Sequence, residues 1–168
     1  AGSNDIDMSG VTVNGIDHFR ANTAPGGGNT VTVGSISSGD GANAIAVGRS
    51  ALTPGVGIEI ESDNIVIGAG TGSIVLSTAG DGTTAGDVRL EGAVSLDLGA
   101  PNDRLNIETA NTTSGDVLFS GDLTAGAGDL ADVVITAGAG TVTLQNIGGA
   151  ADELNDFSTT AGTISLNG

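Results

Sequence analysis

The chain contains no cysteine, tryptophan, tyrosine or lysine, and only three phenylalanines and one histidine. Without cysteine there are no disulfide staples and no thiolate metal site, so stability has to come from another source. Without large aromatic rings a wide globular interior cannot be filled, and a narrow core of Val, Ile, Leu and Ala is the expected alternative. The only basic side chains are Arg20, Arg49, Arg89 and Arg104, set against 20 acidic residues for a net charge of -16. This balance excludes nucleic acid as a partner, because phosphate binding needs a basic surface, and it disfavours anionic membrane surfaces. No stretch reaches the length of a transmembrane helix, and no basic segment followed by an apolar one opens the chain, so membrane insertion is not expected. A chain this acidic repels itself at low salt and gains from salt or divalent cations.

Glycine is abundant, at 30 of 168 residues. It is costly inside helices and useful at tight turns, so helices are not expected. Short runs such as Thr30-Val31-Thr32-Val33 and Thr141-Val142-Thr143-Leu144 are rich in strand formers. A block recurs in which Gly and a small polar residue precede alternating apolar and polar positions: Gly72 to Ser77, Gly86 to Gly92, Gly115 to Gly121, Gly140 to Asn146 and Gly162 to Gly168. Asn4 to Gly10 is a degenerate copy. From Gly86 the blocks begin 29, 25 and 22 residues apart, a range that fits one rung of a solenoid with loops of unequal length. A second strand-like run lies between blocks, at Leu105 to Thr109, Val133 to Thr136 and Asp156 to Thr159, and Asn64 to Gly72 repeats the strand and corner. The expected fold is all-β, a parallel β-helix with rungs of about 22 to 29 residues, in which stacking aligns like aliphatic side chains into ladders.

Residues 1–168 read as one solenoid domain, with regular repeats over 64–168 and a less regular part over 1–63 containing Pro25, Gly26-Gly27-Gly28 and Pro54. A turn, a small-residue strand and another turn are expected over Gly39 to Gly48. The last block ends at Gly168 with no covering helix, and an edge of this kind templates strand pairing. Expected partners are therefore further copies of the chain or adjoining repeats, paired end to end.

The blocks Gly115 to Gly121, Ala131 to Asn146 and Ala161 to Gly168 resemble the Gly/Thr-rich repeats of filamentous-haemagglutinin-like secreted proteins, over roughly residues 64–168. That resemblance implies a right-handed parallel β-helix on a bacterial surface, acting in adhesion or in matrix or biofilm building. Gly41-Ala42-Asn43-Ala44-Ile45-Ala46-Val47-Gly48 resembles a head repeat of trimeric autotransporter adhesins, in a single copy. Both resemblances imply an extracellular or cell-surface location.

Candidate chemistry is sparse. Asp81, Asp87, Asn102, Asp103, Asp129, Asp132 and Asp152 lie near glycine-rich turns and supply hard oxygen ligands suited to calcium, although the Gly-Gly-x-Gly-x-Asp nonapeptide and EF-hand loops are both missing. Ordinary turn formation by Asp and Asn accounts for them without a metal. Carboxylate pairs occur at Glu59 and Glu61 and at Asp152 and Glu153, yet basic partners for charge stabilisation are scarce. His18, beside Asp17 and Arg20, has no second histidine and no nucleophile motif to work with. Asn111-Thr112-Thr113 is a glycosylation sequon in an expected corner. The reading is thus a non-enzymatic structural or adhesive solenoid that requires no cofactor. A calcium-stabilised extracellular binding module is the alternative, and a β-helical carbohydrate-active enzyme rests on fold analogy alone.

Overall fold

The computed structural model describes residues 5–16, 19–23, 26–38, 55–68, 70, 72–79, 84–100, 102–126, 130–149 and 153–168. Among them there is no helix. The strands are β1 (Ile6–Met8), β2 (Val13–Ile16), β3 (Phe19–Asn22), β4 (Thr30–Val33), β5 (Ile36–Ser38), β6 (Val56–Gly68), β7 (Ile74–Ser77) and β8 (Asp87–Asp97), followed by β9 (Arg104–Glu108), β10 (Val117–Phe119), β11 (Leu123–Ala125), β12 (Asp132–Thr136), β13 (Thr141–Leu144), β14 (Asp156–Thr160) and β15 (Thr163–Leu166).

Every described strand pair is parallel. One sheet has nine strands, running β1-β4-β6-β8-β10-β13-β15 with β3 on β6 and β11 on β8, and the other has six, running β14-β12-β9-β7-β5-β2. The nine-stranded sheet bends. In β6 and β8 the register slips between Glu61 and Asn64, at Gly92, whose φ of +154° lies at the edge of the region an L side chain avoids. The bend divides that sheet into two columns of strands, and the six-stranded sheet forms a third. Column I holds β3, the first half of β6, the first half of β8, β10, β13 and β15. Column II holds β1, β4, the second halves of β6 and β8, and β11, with Leu123 bridged to Ile147. Column III is β2, β5, β7, β9, β12 and β14. The chain visits column I, then II, then III, and repeats.

Like packs on like within each column. In column I, Phe19, Ile58, Val88, Val117, Val142 and Ile164 are successive register partners. In column II the row is Ile6, Val31, Ile65, Val94, Leu123 and Ile147. In column III, Ile74, Leu105, Val133 and Phe157 follow one another. Alternation places these side chains on one face and Thr, Ser, Asn or charged groups on the other. Burying each aliphatic side chain contributes on the order of 1.5–3 kcal/mol, which is how a chain poor in aromatics acquires a core.

The offsets of 29, 25 and 22 residues between the repeated Gly blocks are also the register offsets from Val88 to Val117 to Val142 to Ile164. Glycine opens these blocks because the backbones come too close for a side chain: a Cβ on Gly115 would strike the Gly86 carbonyl, and one on Gly140 would strike that of Gly115. Behind them Thr78 and Thr109 are fully buried, and their hydroxyls donate to the carbonyls of Gly86 (2.6 Å) and Gly115 (2.7 Å).

Three expectations are corrected. The block at Gly72 to Ser77 contains β7, which belongs to column III and not with the blocks at 86, 115, 140 and 162. Asn64 to Gly68, expected to match the intervening strands, instead forms the second half of β6 in column II, and the degenerate copy at Asn4 to Gly10 supplies β1 to the same column. Each repeat therefore carries three strand segments where two were expected, since Ala93 to Asp97 and Leu123 to Ala125 are strands as well. The described strands before residue 63 pair within the same two sheets. The segment 39–48, with its expected strand and its adhesin-like repeat, lies outside the described residues, as do Pro25 and Pro54.

Candidate functional site

Several outward-facing acids stand where a neighbouring segment leaves a backbone N–H within reach. Asp87 starts its strand, and its Oδ1 accepts the N–H of Asp116 at 2.9 Å while Arg89 lies 3.3 Å from Oδ2. Asp116 repeats the arrangement one strand further on, accepting the N–H of Thr141 at 2.7 Å. Asp5 does the same for Thr30 at 2.9 Å. Asp63 gathers the N–H groups of Gly26, Gly28 and Asn29 at 3.1 to 3.3 Å, pinning the glycine-rich loop to β6. Serine plays the same part in column III, where Ser35 accepts from Val75 and Ser73 from Arg104. Charge-assisted bonds of this kind are among the stronger ones a surface can make.

The remaining candidate ligands are similarly engaged. Asp103 accepts from the Ser73 hydroxyl at 3.4 Å. Asp132 accepts from the Asn155 amide at 2.7 Å and faces the Arg104 guanidinium at 3.9 Å. Asn102 takes a left-handed conformation with φ of +73°, the turn role that asparagine tolerates. Asp103 and Asp132 stand side by side, the Asp132 N–H donating to the Asp103 carbonyl at 3.0 Å, while Asp87 lies in another column. Among the described residues no three His, Asp or Glu side chains converge as metal ligands would. Asp81, Asp129 and Asp152 lie outside the described residues. The sequon asparagine, Asn111, donates its amide to the Ala79 carbonyl at 3.1 Å and accepts the N–H of Thr112 at 2.8 Å, so it ties one corner to the neighbouring one.

Glu59 and Glu61 share a face of β6, as expected, and Arg20 of the adjacent β3 reaches both. Arg20 Nε lies 3.5 Å from Glu59 and its terminal nitrogen 3.7 Å from Glu61. Glu59 is 5% exposed and the Arg20 side chain 7%. A buried guanidinium between two carboxylates is an ion cluster that costs stability if either sign is removed. The signal that could have found this cluster is the equal two-residue alternation on both strands, but the register that brings them together is not local. His18 and Asp17 lie outside the described residues.

The Asp7 carboxyl is clearly perturbed. The Ser9 N–H, 3.0 Å from Asp7 Oδ1, and then the Ser9 hydroxyl hold the Asp7 carboxyl below the usual carboxylate range.

The least satisfied surface is the edge formed by β14, β15 and Ile147. Ile164 and Leu166 occupy inward positions of column I yet are 49% and 66% exposed, and Ile147 is 37% exposed. Nearby, a trough of about 580 Å³ runs between Ile147 and Phe157, past Gly149, Glu153 and Leu154. Thr159 ends the inner row of column III with its hydroxyl buried and without a hydrogen-bond partner. At the opposite edge Ile6 and Met8 of β1 and Val13 and Ile16 of β2 are half-buried, and Val11 is exposed. Apolar inward positions and strand edges together are what a further strand pairs with. Comparison with known proteins gives no match: no family model fits the sequence, and no curated protein or solved structure is similar to it.

Proposed function

We propose that the three columns are the walls of a β-solenoid and that this chain is an extracellular structural or adhesive segment, part of a bacterial surface protein or of a filament. The observation that carries the reading is the in-register stacking of like aliphatic residues in three parallel columns visited in rotation. The surface supports a structural role, because Asp87, Asp116, Glu59 and Glu61 bridge neighbouring strands through backbone N–H groups and the Arg20 guanidinium. Its partners in this reading are other copies or adjoining repeats that pair at the strand edges, and no bound cofactor is needed to hold the walls together. The bacterial exterior comes from the resemblance to haemagglutinin-like repeats. Electron microscopy and fibre diffraction of the purified chain test the proposal. Slender rods or filaments with an axial repeat of about 4.8 Å are expected, and globular particles without that repeat would end it.

A further inference from the structure

We infer that the outer face of column I carries a binding site for one neutral sugar ring, in the cleft over β10. Arg89 of β8, Leu118 of β10 and Thr143 of β13 are successive register partners on that face. Asp87 at the start of β8 and Asp116 just before β10 flank this row, and with Val117 these residues line a cleft of about 180 Å³. It has room for a six-membered ring with its hydroxyls and for little more. The three strands lie inside the nine-stranded sheet, with β6 on one side and β15 on the other.

The polar groups of the cleft are fixed before a ligand arrives. Asp87 Oδ1 accepts the Asp116 N–H at 2.9 Å while Oδ2 faces the Arg89 guanidinium at 3.3 Å, and Asp116 Oδ1 accepts the Thr141 N–H at 2.7 Å. Side chains pinned in this way on paired strands lose little freedom on binding. What they leave over is a mixed set. Asp87 takes only one of the guanidinium donors, and Asp116 Oδ2 and the Thr143 hydroxyl have no hydrogen-bond partner among the described residues. An anion in the cleft meets two carboxylates, and a metal ion meets a guanidinium. A neutral polyol suits every group: its hydroxyls donate to Asp116 and accept from Arg89 and Thr143, while the ring C–H groups lie against Leu118. The chain has no Trp or Tyr for a sugar to stack on, so the affinity is low, with a Kd on the order of millimolar.

The test is an NMR titration of the isotope-labelled 168-residue chain. Methyl glycosides of glucose, galactose, mannose and N-acetylglucosamine are added to tens of millimolar, with galacturonate and glucosamine as charged comparators. At least one neutral glycoside should shift the amide signals of Asp116, Leu118 and Thr143 to saturation. Asp116→Asn and Arg89→Lys should each weaken that binding about tenfold. The asparagine still offers the Thr141 N–H an acceptor and the lysine still offers Asp87 a cation, so signals away from the cleft should stay in place and show that the fold survives. Arg104→Lys, in column III, should leave the titration unchanged. The inference is overturned if no neutral glycoside gives a saturable shift, if either cleft variant binds like the unmodified chain, or if a charged comparator binds more tightly than every neutral glycoside. The cleft needs only the described pairing of β8, β10 and β13. Rods that bind no sugar therefore remove this inference alone, and sugar binding by particles that are not rods removes only the solenoid reading.

Discussion

The same short pattern opens β8 and β15, yet the two strands live in different surroundings. Gly86-Asp87-Val88-Arg89-Leu90 and Gly162-Thr163-Ile164-Ser165-Leu166 place aliphatic residues at matching inward positions. Val88 and Leu90 are fully buried between β6 and β10, while Ile164 and Leu166 are largely exposed beyond β13. Burial in this architecture is thus contributed by the neighbouring circuit and not by the segment itself, so stability should grade from the middle of the columns toward their edges.

The largest expected contrast comes from truncating the two rows. Phe119→Ala, at a fully buried position of column I, should cost about 3–5 kcal/mol in urea unfolding, and Leu90→Ala about 2–5 kcal/mol. Leu166→Ala should cost less than about 1 kcal/mol, because most of that side chain already faces water. Equal losses at both places would break the comparison. Next in size are the glycines. Gly115→Ala forces a methyl group onto the Gly86 carbonyl and should destabilise by about 1–3 kcal/mol. Gly149→Ala, where an added Cβ meets nothing, should stay within about 0.5 kcal/mol. Smaller again is Asp116→Ala, which removes the acceptor of the Thr141 N–H between β10 and β13 and should cost about 1 kcal/mol in the same measurement.

The smallest effect concerns Asp7, at the exposed edge. Its carboxyl is held below the usual range by Ser9, so the folded state favours the ionised form more than the unfolded chain does. This contribution is present above the ordinary carboxylate pKa and is lost as pH falls through the lowered folded value. An NMR titration should place the Asp7 midpoint below that of a free aspartate, and Ser9→Gly should move it upward by removing the hydroxyl while keeping the N–H. A midpoint at or above the ordinary value would contradict the assignment.

Column I was legible in the sequence from Gly86 onward because its repeats open with glycines that the close backbone approach demands, and because the spacing of those glycines is the register offset itself. Column II was harder to see. Its segments Ala93 to Asp97 and Leu123 to Ala125 follow column I with only a bend between, and Leu123 to Ala125 has three residues in which to show a period. Gly72 to Ser77 was grouped with the wrong column because all three inner rows share the same alternation of period two, and only the neighbouring strand tells them apart. The acids were visible as turn residues. Their bonds to Asp116, Thr141 and Thr30, and the placement of Arg20 against Glu59 and Glu61, depend on register between residues 25 to 39 apart or more, which no local pattern carries.

Parallel, in-register stacking is most directly tested by disulfide trapping, since the natural chain has no cysteine to interfere. Asn106 faces Val134 and Glu108 faces Thr136 across β9 and β12, both pairs on the outer side. Adjacent parallel strands bring such Cα atoms to about 4.8 Å, within the span of a disulfide. One double variant carries Asn106→Cys with Val134→Cys, and the other Glu108→Cys with Thr136→Cys. Parallel pairing predicts that both close as intrachain disulfides under mild oxidation; an antiparallel arrangement allows at most one, and closure of only one or of neither would contradict the account.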